Sequence, residues 1–90
     1  MRRMSAPIRI LYFAWLRERT GHASETVPLP DGVVTVGDLM AWLRARDDGH
    51  ALAFANPRLV RAAVNQDFAA PDTPLSPGDE VAFFPPVTGG

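Results

Sequence analysis

Residues 35–43 read Thr-Val-Gly-Asp-Leu-Met-Ala-Trp-Leu, and this stretch is the strongest helix signal in the chain. Thr35 is a favourable N-cap, and Asp38 three positions later predicts a variant of the capping box. Val34 and Leu39 stand at the two positions of a hydrophobic staple. Apolar side chains then recur at helical spacing and form one stripe that has to be buried. The stripe comprises Val36, Leu39, Met40 and Leu43, with Trp42 at its margin.

Short apolar runs on both sides of this helix predict strands. These runs cover residues 8–13, 25–29, 59–65, a stub at 68–69, and 80–84. The first is apolar at almost every position, which predicts an internal strand packed on both faces. Pro28 lacks the N–H that a central ladder needs, so the second strand is predicted to lie at a sheet edge.

Turns and short helices connect these elements. Residues 14–20 are predicted to form two helical turns that end at Gly21, and residues 51–55 a further helical turn. Residues 44 and 46 are arginines predicted to face water, and Asp47-Asp48-Gly49 is predicted to end the main helix. Turns are predicted at residues 30–32 and 75–78. The pattern predicts an α+β fold, with a mixed sheet of four to five strands packed on one main helix and short extra helices.

Composition limits the classes of function. The chain has 90 residues, 47% of them hydrophobic and 21% charged, which is typical of one small globular domain. A net charge of −1 and scattered arginines argue against nucleic-acid binding, and no apolar run approaches the roughly 20 residues of a membrane span. Cysteine and lysine are absent, which excludes thiol and Schiff-base chemistry and fits a cytoplasmic protein.

The polar residues predict no site for a free-standing enzyme or a metal ion. His22 and His50 have no carboxylate at a ligand spacing, so each is predicted to lie on the surface or in a turn. Asp79-Glu80 is interpreted as a polar turn before a strand rather than as a metal-binding pair. There is no nucleophile–base pair and no phosphate-binding loop. We therefore expect that the chain is not catalytic alone.

The last six residues, Pro-Pro-Val-Thr-Gly-Gly, predict an extended tail in which the carboxyl terminus is the functional group. Pro85 and Pro86 favour an extended backbone that leaves the sheet, and Gly89 and Gly90 provide the thinnest possible chain. Six residues can span at most roughly 20 Å, enough to enter a partner's pocket. The predicted organisation is a flexible extension at 1–6, a folded domain at 7–84 and the tail at 85–90.

Aromatic and basic residues near the tail are candidates for partner binding. Val81 and Phe83 are predicted to face the core, which directs Phe84 to the opposite face beside the tail. An exposed aromatic at that place indicates a protein contact. Arg17 and Arg61 are candidates for ion pairs at the rim of such a contact, and ordinary solvated charges remain the alternative for both.

Three segments of the chain resemble one known family. They are residues 78–90 (Gly-Asp-Glu-Val-Ala-Phe-Phe-Pro-Pro-Val-Thr-Gly-Gly), residues 62–66 (Ala-Ala-Val-Asn-Gln), and residues 12–18, with Tyr-Phe-Ala followed by Leu-Arg-Glu. The chain thus resembles the small, sulfur-carrying subunits of molybdopterin synthase, which are ubiquitin-like β-grasp proteins. The resemblance covers nearly all of the chain after the N-terminal extension.

The resemblance implies a sequence of reactions at Gly90. An ATP-dependent, ubiquitin-activating-like adenylyltransferase would adenylate the Gly90 carboxylate, and a sulfurtransferase or cysteine desulfurase system would convert it to a thiocarboxylate. The tail, positioned by Pro85, Pro86, Val87 and Thr88, would then deliver sulfur to cyclic pyranopterin monophosphate in the large subunit. The family resemblance further implies a heterotetramer, no bound cofactor, and an apolar patch with Phe84 and Phe68 against the large subunit.

Two alternatives remain at this stage. The chain could be a sulfur carrier for another pathway, such as thiazole synthesis or tRNA thiolation, because those carriers also end in Gly-Gly. It could also be a non-catalytic ubiquitin-like interaction domain with an inert tail. Removal of Gly89 and Gly90 distinguishes the two classes, since a carrier would lose its function and an interaction domain would keep it.

Overall fold

The computed structural model describes residues 6–86, in which five strands form one mixed sheet. In chain order the elements are β1 Ile8–Tyr12, α1 Trp15–Thr20, β2 Ser24–Val27, α2 Val36–Arg44, α3 Asp48–Ala53, a 3-10 turn Pro57–Leu59, β3 Arg61–Val64, β4 Asp67–Ala69 and β5 Glu80–Phe84. The strand order across the sheet is β2-β1-β5-β3-β4. Strands β1 and β5 are parallel and the other pairs antiparallel. This arrangement confirms the predicted α+β, ubiquitin-like β-grasp fold.

Helix α2 begins as its sequence predicts. The Thr35 hydroxyl accepts a hydrogen bond from the Asp38 N–H, and the Asp38 carboxylate accepts one from the Thr35 N–H, both at 3.1 Å. The Asp38 carboxylate also accepts from the backbone N–H of Val34 at 3.0 Å. These two backbone donors, Val34 and Thr35, lower the pKa of Asp38. The staple prediction is wrong for Val34, whose side chain is 60% exposed.

The stripe of α2 packs on one face of the sheet. Val36, Leu39 and Leu43 are buried, Met40 nearly so, and Trp42 packs against the margin of the same core. This face of the sheet contributes Ile8, Ile10, Tyr12, Val81 and Phe83, all at most 2% exposed.

Strand β1 is internal, but the prediction that both of its faces are packed is wrong. Its side chains alternate, so that Arg9 is exposed and Leu11 half-buried on the face away from the helices. Strand β2 lies at the sheet edge as predicted, although it ends at Val27 because Pro28 cannot continue the ladder. Strand β5 lies at the centre of the sheet, between β1 and β3.

Three element boundaries differ clearly from the sequence prediction: the end of α2, the start of α3 and the start of β3. Residues 47–49 do not simply end α2, which stops at Arg44; Asp47 instead caps α3 by accepting the N–H of His50 at 2.8 Å. Helix α3 therefore starts at Asp48 rather than at residue 51. Asp47 acts as its N-cap, because an aspartate carboxylate can accept a hydrogen bond from a backbone N–H in the first turn of a helix. Strand β3 starts at Arg61 because Pro57 opens a 3-10 turn.

Two glycines allow the turns that the sequence predicts. Gly21 takes a left-handed conformation with φ of 80° and ends α1. Gly78 has φ of 89°, and the next residue, Asp79, donates its N–H to the Ser76 carbonyl at 3.1 Å. Pro77 and Gly78 therefore occupy the centre of the turn before β5, as predicted. Within residues 6–86 no helix has the length and apolar character to cross a bilayer.

Candidate functional site

The face of the sheet away from the helices carries an apolar surface next to the end of β5. We call this surface the Phe84 face; it comprises Leu11, Phe13, Ala63, Phe68, Ala82 and Phe84. Strand pairing brings these residues together, because Ala63 lies opposite both Ala82 and Phe68, and Leu11 lies beside Ala82. Side chains that are directly paired point to the same face of a sheet. No helix of the described chain covers this surface.

Phe84 and Phe68 are the two aromatic residues that the sequence analysis nominated. Phe84 is half-buried and directed away from the helices, while Phe83 is fully buried, as predicted. Phe68 is 88% exposed, and its ring centroid lies 6.1 Å from that of Phe84. The two rings border a depression of about 340 Å³ lined by Arg61, Ala62, Phe68, Ala69 and Phe84.

Phe13 is a residue of this face to which sequence reasoning assigned no role. It is 50% exposed, and its backbone N–H donates to the carbonyl oxygen of Phe83 at 3.1 Å. It directly follows Tyr12, the last residue of β1, and the two-residue period of the strand predicts that its side chain lies on the side of Arg9 and Leu11. The alternation of inward and outward side chains along residues 8–13 could have indicated that Phe13 is exposed. The expectation of a strand buried on both faces left this possibility out.

The two nominated arginines occupy different places. Arg61 is exposed and lies directly opposite Phe84, at the rim of the depression. Arg17 is exposed on α1 and does not line that depression. The structure thus groups Arg61 with Phe68 and Phe84 and leaves Arg17 apart. Their part in partner binding stays a prediction.

The tail starts from the middle of the sheet. Strand pairing ends at Phe84, and Pro85 and Pro86 follow half-buried and outside any strand, since proline has no N–H to continue the ladder. The predicted tail residues Val87, Thr88, Gly89 and Gly90 lie outside the described residues.

A group of polar side chains lies on the helix side of the sheet, and it shows that one prediction is wrong. His50 is not on the surface: it is fully buried, with Nδ1 2.8 Å from Asp47 Oδ1 and Nε2 2.7 Å from Glu25 Oε2. His22 is exposed as predicted, with its ring centroid 5.9 Å from that of His50. The contact between His50 and Glu25 could not be predicted from the sequence, because the two residues are 25 positions apart and meet only in the folded chain.

Glu25 is the centre of this group, which we call the Glu25 cluster; it comprises Tyr12, Glu25, Arg46, Asp47 and His50. The Tyr12 hydroxyl and Arg46 Nη1 each donate to the Glu25 carboxylate at 2.7 Å. Arg46 is exposed, as predicted, and in addition forms this ion pair with Glu25. Burial opposes ionisation of Glu25, but hydrogen bonds from His50, Tyr12 and Arg46 outweigh it and lower the pKa of Glu25 to about 2.

The Glu25 cluster adjoins the strand that carries the tail. Burial, followed by the Glu25 carboxylate, raises the pKa of Tyr12 above its usual range. The Tyr12 ring stacks on that of Phe83 with centroids 6.3 Å apart. The cluster and the Phe84 face therefore lie on opposite sides of β5.

Of the acidic pair Asp79-Glu80, Asp79 lies in the turn before β5 and Glu80 is the first residue of the strand. Asp79 Oδ2 accepts the N–H of Ser76 at 2.8 Å, and Asp79 Oδ1 accepts from the Asn65 side-chain amide at 3.0 Å. Asp79 thus fastens the turn at 76–79 to the β3–β4 hairpin. Across residues 6–86, no three histidine, aspartate or glutamate side chains converge in a way that suits a metal ion.

Comparison with known proteins assigns the family. The model of the ThiS family matches residues 10–90. The chain is 45% identical to the molybdopterin synthase sulfur carrier subunit of Escherichia coli over 83 residues, 92% of this chain and 99% of that protein. It is 36% identical to the subunit of the same name from Haemophilus influenzae, with the same two coverages.

A solved structure agrees with this assignment. The crystal structure of SAMP1 from Haloferax volcanii superposes with a TM-score of 0.70 at 30% identity, covering 94% of this chain and all of that one. Because the family model and the relatives extend over nearly the whole sequence, the chain belongs to the ThiS family, alongside the molybdopterin synthase sulfur carrier subunits.

Proposed function

We propose that this chain is the sulfur carrier subunit of a molybdopterin synthase, with Gly90 as the residue that bears the sulfur. The observation that carries the proposal is the position of the Phe84 face at the base of the tail. A large exposed ring, Phe68, lies beside Phe84 where a partner that takes up the tail would make contact. The names of the curated relatives support the same role.

The chemistry is carried by the terminal carboxylate. An ionised carboxylate, with an ordinary pKa of about 3.3 to 3.7, is a poor electrophile at neutral pH. In the proposed reaction, an adenylyltransferase joins the Gly90 carboxylate to AMP from ATP, and pyrophosphate leaves. A persulfide of a sulfurtransferase or cysteine desulfurase system then attacks the acyl carbon, and AMP leaves. A second thiol of that donor system reduces the resulting acyl disulfide, which yields the thiocarboxylate on Gly90 and a disulfide on the donor. The chain contains no cysteine whose thiol would attack the activated terminus.

The loaded tail would deliver its sulfur in the active site of a large subunit. In this proposal the large subunit packs on the Phe84 face, with Phe84 and Phe68 in the apolar centre and Arg61 at the rim. Residues 85–90 span at most roughly 20 Å when extended, which lets Gly90 reach cyclic pyranopterin monophosphate while the domain stays outside. Two small and two large subunits would form the synthase.

The first experiment measures the chemical state of Gly90. The chain is co-expressed with a candidate activating enzyme, treated with a thiol alkylator, and analysed by intact mass and by the mass of its C-terminal peptide. Since the chain has no side-chain thiol, an adduct confined to the peptide that ends in Gly90 identifies a thiocarboxylate. An unlabelled Gly90 after incubation with a demonstrably active activating system contradicts the carrier role.

A second experiment separates the synthase from the two alternatives. The loaded carrier is incubated with a large subunit and cyclic pyranopterin monophosphate, and molybdopterin is measured. Loading at Gly90 without molybdopterin formation would favour a carrier for another pathway. A variant that lacks Gly89 and Gly90 should bind the large subunit and form no product. Full function of that variant would favour an interaction domain with an inert tail.

A further inference from the structure

A groove continues from the Phe84 face, around the start of β3 and the end of β4, to helix α2. It begins at the depression between Phe68 and Phe84 and passes into a second depression of about 570 Å³, which shares Arg61, Phe68 and Ala69 with the first. The second depression adjoins a pocket of about 250 Å³ beside α2, because both are lined by Pro57. Together the three spaces form one groove from Phe84 to the last turn of α2, which we call the α2 groove.

The pocket beside α2 is apolar, and its walls are held in place. Its buried lining residues are Met40, Phe54 and Val60. Gly37 donates its backbone N–H to the Pro71 carbonyl at 2.8 Å, which holds the loop after β4 against the start of α2. Pro57 also lines the pocket, and proline has little backbone freedom to lose when a ligand binds. The pocket therefore exists before any ligand enters it.

The size of this pocket suits one apolar side chain. Sites for drug-sized ligands and cofactors usually measure roughly 300 to 1,000 Å³. The pocket beside α2 is smaller, at about 250 Å³. Pockets of this kind in protein interfaces take a single aliphatic or aromatic side chain as an anchor. The ligand that fits is thus a side chain of another protein segment rather than a cofactor.

The charges along the α2 groove have one sign. Arg44 lines the pocket beside α2, and Arg58 and Arg61 line the adjoining depression. All three arginines are exposed, and none forms an ion pair with another described residue. Asp67 and Asp72 lie close by in the sequence but do not line the groove. Three arginines and no carboxylate among the described lining residues favour an acidic ligand.

We propose that the α2 groove binds an extended acidic segment of the large subunit, with one apolar side chain of that segment in the pocket beside α2. The segment would leave the Phe84 face, pass Arg61 and Arg58, and end at the pocket next to Arg44. Continuity with the Phe84 face favours the large subunit as the source, and this part of the inference rests on the proposed function.

The first test measures the binding of such a segment to the groove. The nitrogen-15-labelled chain is titrated with the peptide acetyl-Asp-Glu-Leu-Asp-Glu-amide and, as a charge control, with acetyl-Lys-Lys-Leu-Lys-Lys-amide. We expect the acidic peptide to shift the amide signals of Met40, Ala41 and Phe54 with millimolar affinity, and the basic peptide to leave them unchanged. The absence of shifts with the acidic peptide, or equal shifts with both peptides, would overturn the proposal.

The variant Ala41→Leu tests the pocket by filling it. Ala41 is exposed on α2 and lines the pocket, so leucine there should occupy the space of the peptide side chain at little cost to the helix. Ala23→Leu adds the same side chain at an exposed residue outside the groove and is the matched control. We expect Ala41→Leu to weaken binding of the acidic peptide by about tenfold and Ala23→Leu to leave it unchanged. Equal binding by the two variants would show that the pocket is not the site.

The source of the segment is tested with the large subunit itself. The double variant Arg44→Glu/Arg58→Glu reverses two charges of the groove and leaves the Phe84 face intact. We expect calorimetric titration to show an affinity lower by about tenfold, with a smaller difference at high salt. Arg19→Glu, at an exposed arginine of α1 outside the groove, is the control and should bind normally.

The outcomes separate this inference from the proposed function. Wild-type affinity of the double variant would overturn the inference and leave the carrier role intact. A wild-type chain that does not bind the large subunit would contradict the proposed function and, with it, this source of the segment. The peptide titration needs neither a partner protein nor sulfur transfer, so it decides whether the groove binds acidic segments in either case.

Discussion

The backbone N–H of Phe13 donates to the carbonyl oxygen of Phe83 at 3.1 Å, so an exposed aromatic residue is held beside the start of the tail. This bond extends the parallel pairing of β1 and β5, in which Tyr12 lies beside Phe83. Because the strands are parallel, the chain that follows β1 and the tail that follows β5 leave the sheet at the same end. Phe13 is thereby brought to the Phe84 face from a segment some seventy residues away.

Substitution of Phe68 should separate binding from folding. Since Phe68 is 88% exposed, Phe68→Ala should change the free energy of unfolding by no more than about 0.5 kcal/mol. If the large subunit packs on the Phe84 face, the same variant should weaken its binding by about tenfold to a hundredfold. Calorimetric titration with the large subunit gives the affinity. Leu52→Ala, at a residue 57% exposed on α3, is the control and should bind normally.

Phe13 should behave as part of the same surface. Phe13→Ala removes a half-exposed ring and keeps the backbone bond to Phe83, so we expect weaker binding of the large subunit with little loss of stability. Its binding should be measured beside that of Phe68→Ala under the same conditions. Unchanged affinity would place Phe13 outside the docking surface.

Ala14 has φ of 55° and ψ of −132°, a conformation that suits glycine and strains other residues. Ala14→Gly should therefore raise the free energy of unfolding by about 1 kcal/mol, after the greater flexibility of glycine in the unfolded chain is subtracted. Ala41→Gly is the matched control, because Ala41 is exposed within α2 and should lose about 1 kcal/mol. Urea unfolding gives both values, and destabilisation of Ala14→Gly would contradict the assignment of strain.

Gly49 allows α3 to approach the end of α1. A Cβ atom at this position would lie 2.5 Å from the backbone carbonyl oxygen of Arg19. Gly49→Ala should therefore separate the two helices and lower the free energy of unfolding by about 1 to 3 kcal/mol. Asp48→Ala, at the exposed neighbouring residue, should have a much smaller effect, and thermal unfolding of the pair tests the difference. Equal stability of the two variants would show that the helices can shift freely.

Acid should destabilise the fold through Glu25. Its pKa in the folded chain, about 2, is below the ordinary value of 4.5. The ionised carboxylate thus contributes stability that is present above about pH 4.5 and is lost as the pH falls toward 2. The size of this contribution is on the order of 3 kcal/mol, because the pKa is lowered from 4.5 to about 2 and 1 pKa unit corresponds to about 1.4 kcal/mol.

Glu25→Gln tests this linkage. The variant should be less stable than wild type at pH 7 and should lose less stability between about pH 5 and pH 2. Some acid sensitivity should remain, since Asp38 and Asp47 also have lowered pKa values. Urea unfolding across the acid range measures both effects, and parallel curves for the two proteins would rule out Glu25 as a source of the acid sensitivity.

Local signals in the sequence predicted much of this fold. The capping pair Thr35 and Asp38, the stripe of α2, and the Pro77-Gly78 turn depend on residues a few positions apart, and the structure has all three. The edge position of β2 followed from Pro28, and the opposite orientations of Phe83 and Phe84 followed from the two-residue period of a strand. These predictions succeeded because short-range backbone chemistry determines them.

Long-range pairing decided the rest. His50 is buried because β2 brings Glu25 against α3, and Phe13 joins Phe84 because β1 lies parallel to β5. Neither neighbour can be found from spacing along the chain, since strand order and register select which distant residues meet. The sequence determined the elements, the turns and the apolar stripe through local geometry. The tertiary structure alone determined which carboxylate binds His50 and which aromatic residues lie beside Phe83 and Phe84, because those contacts form only when the sheet is assembled.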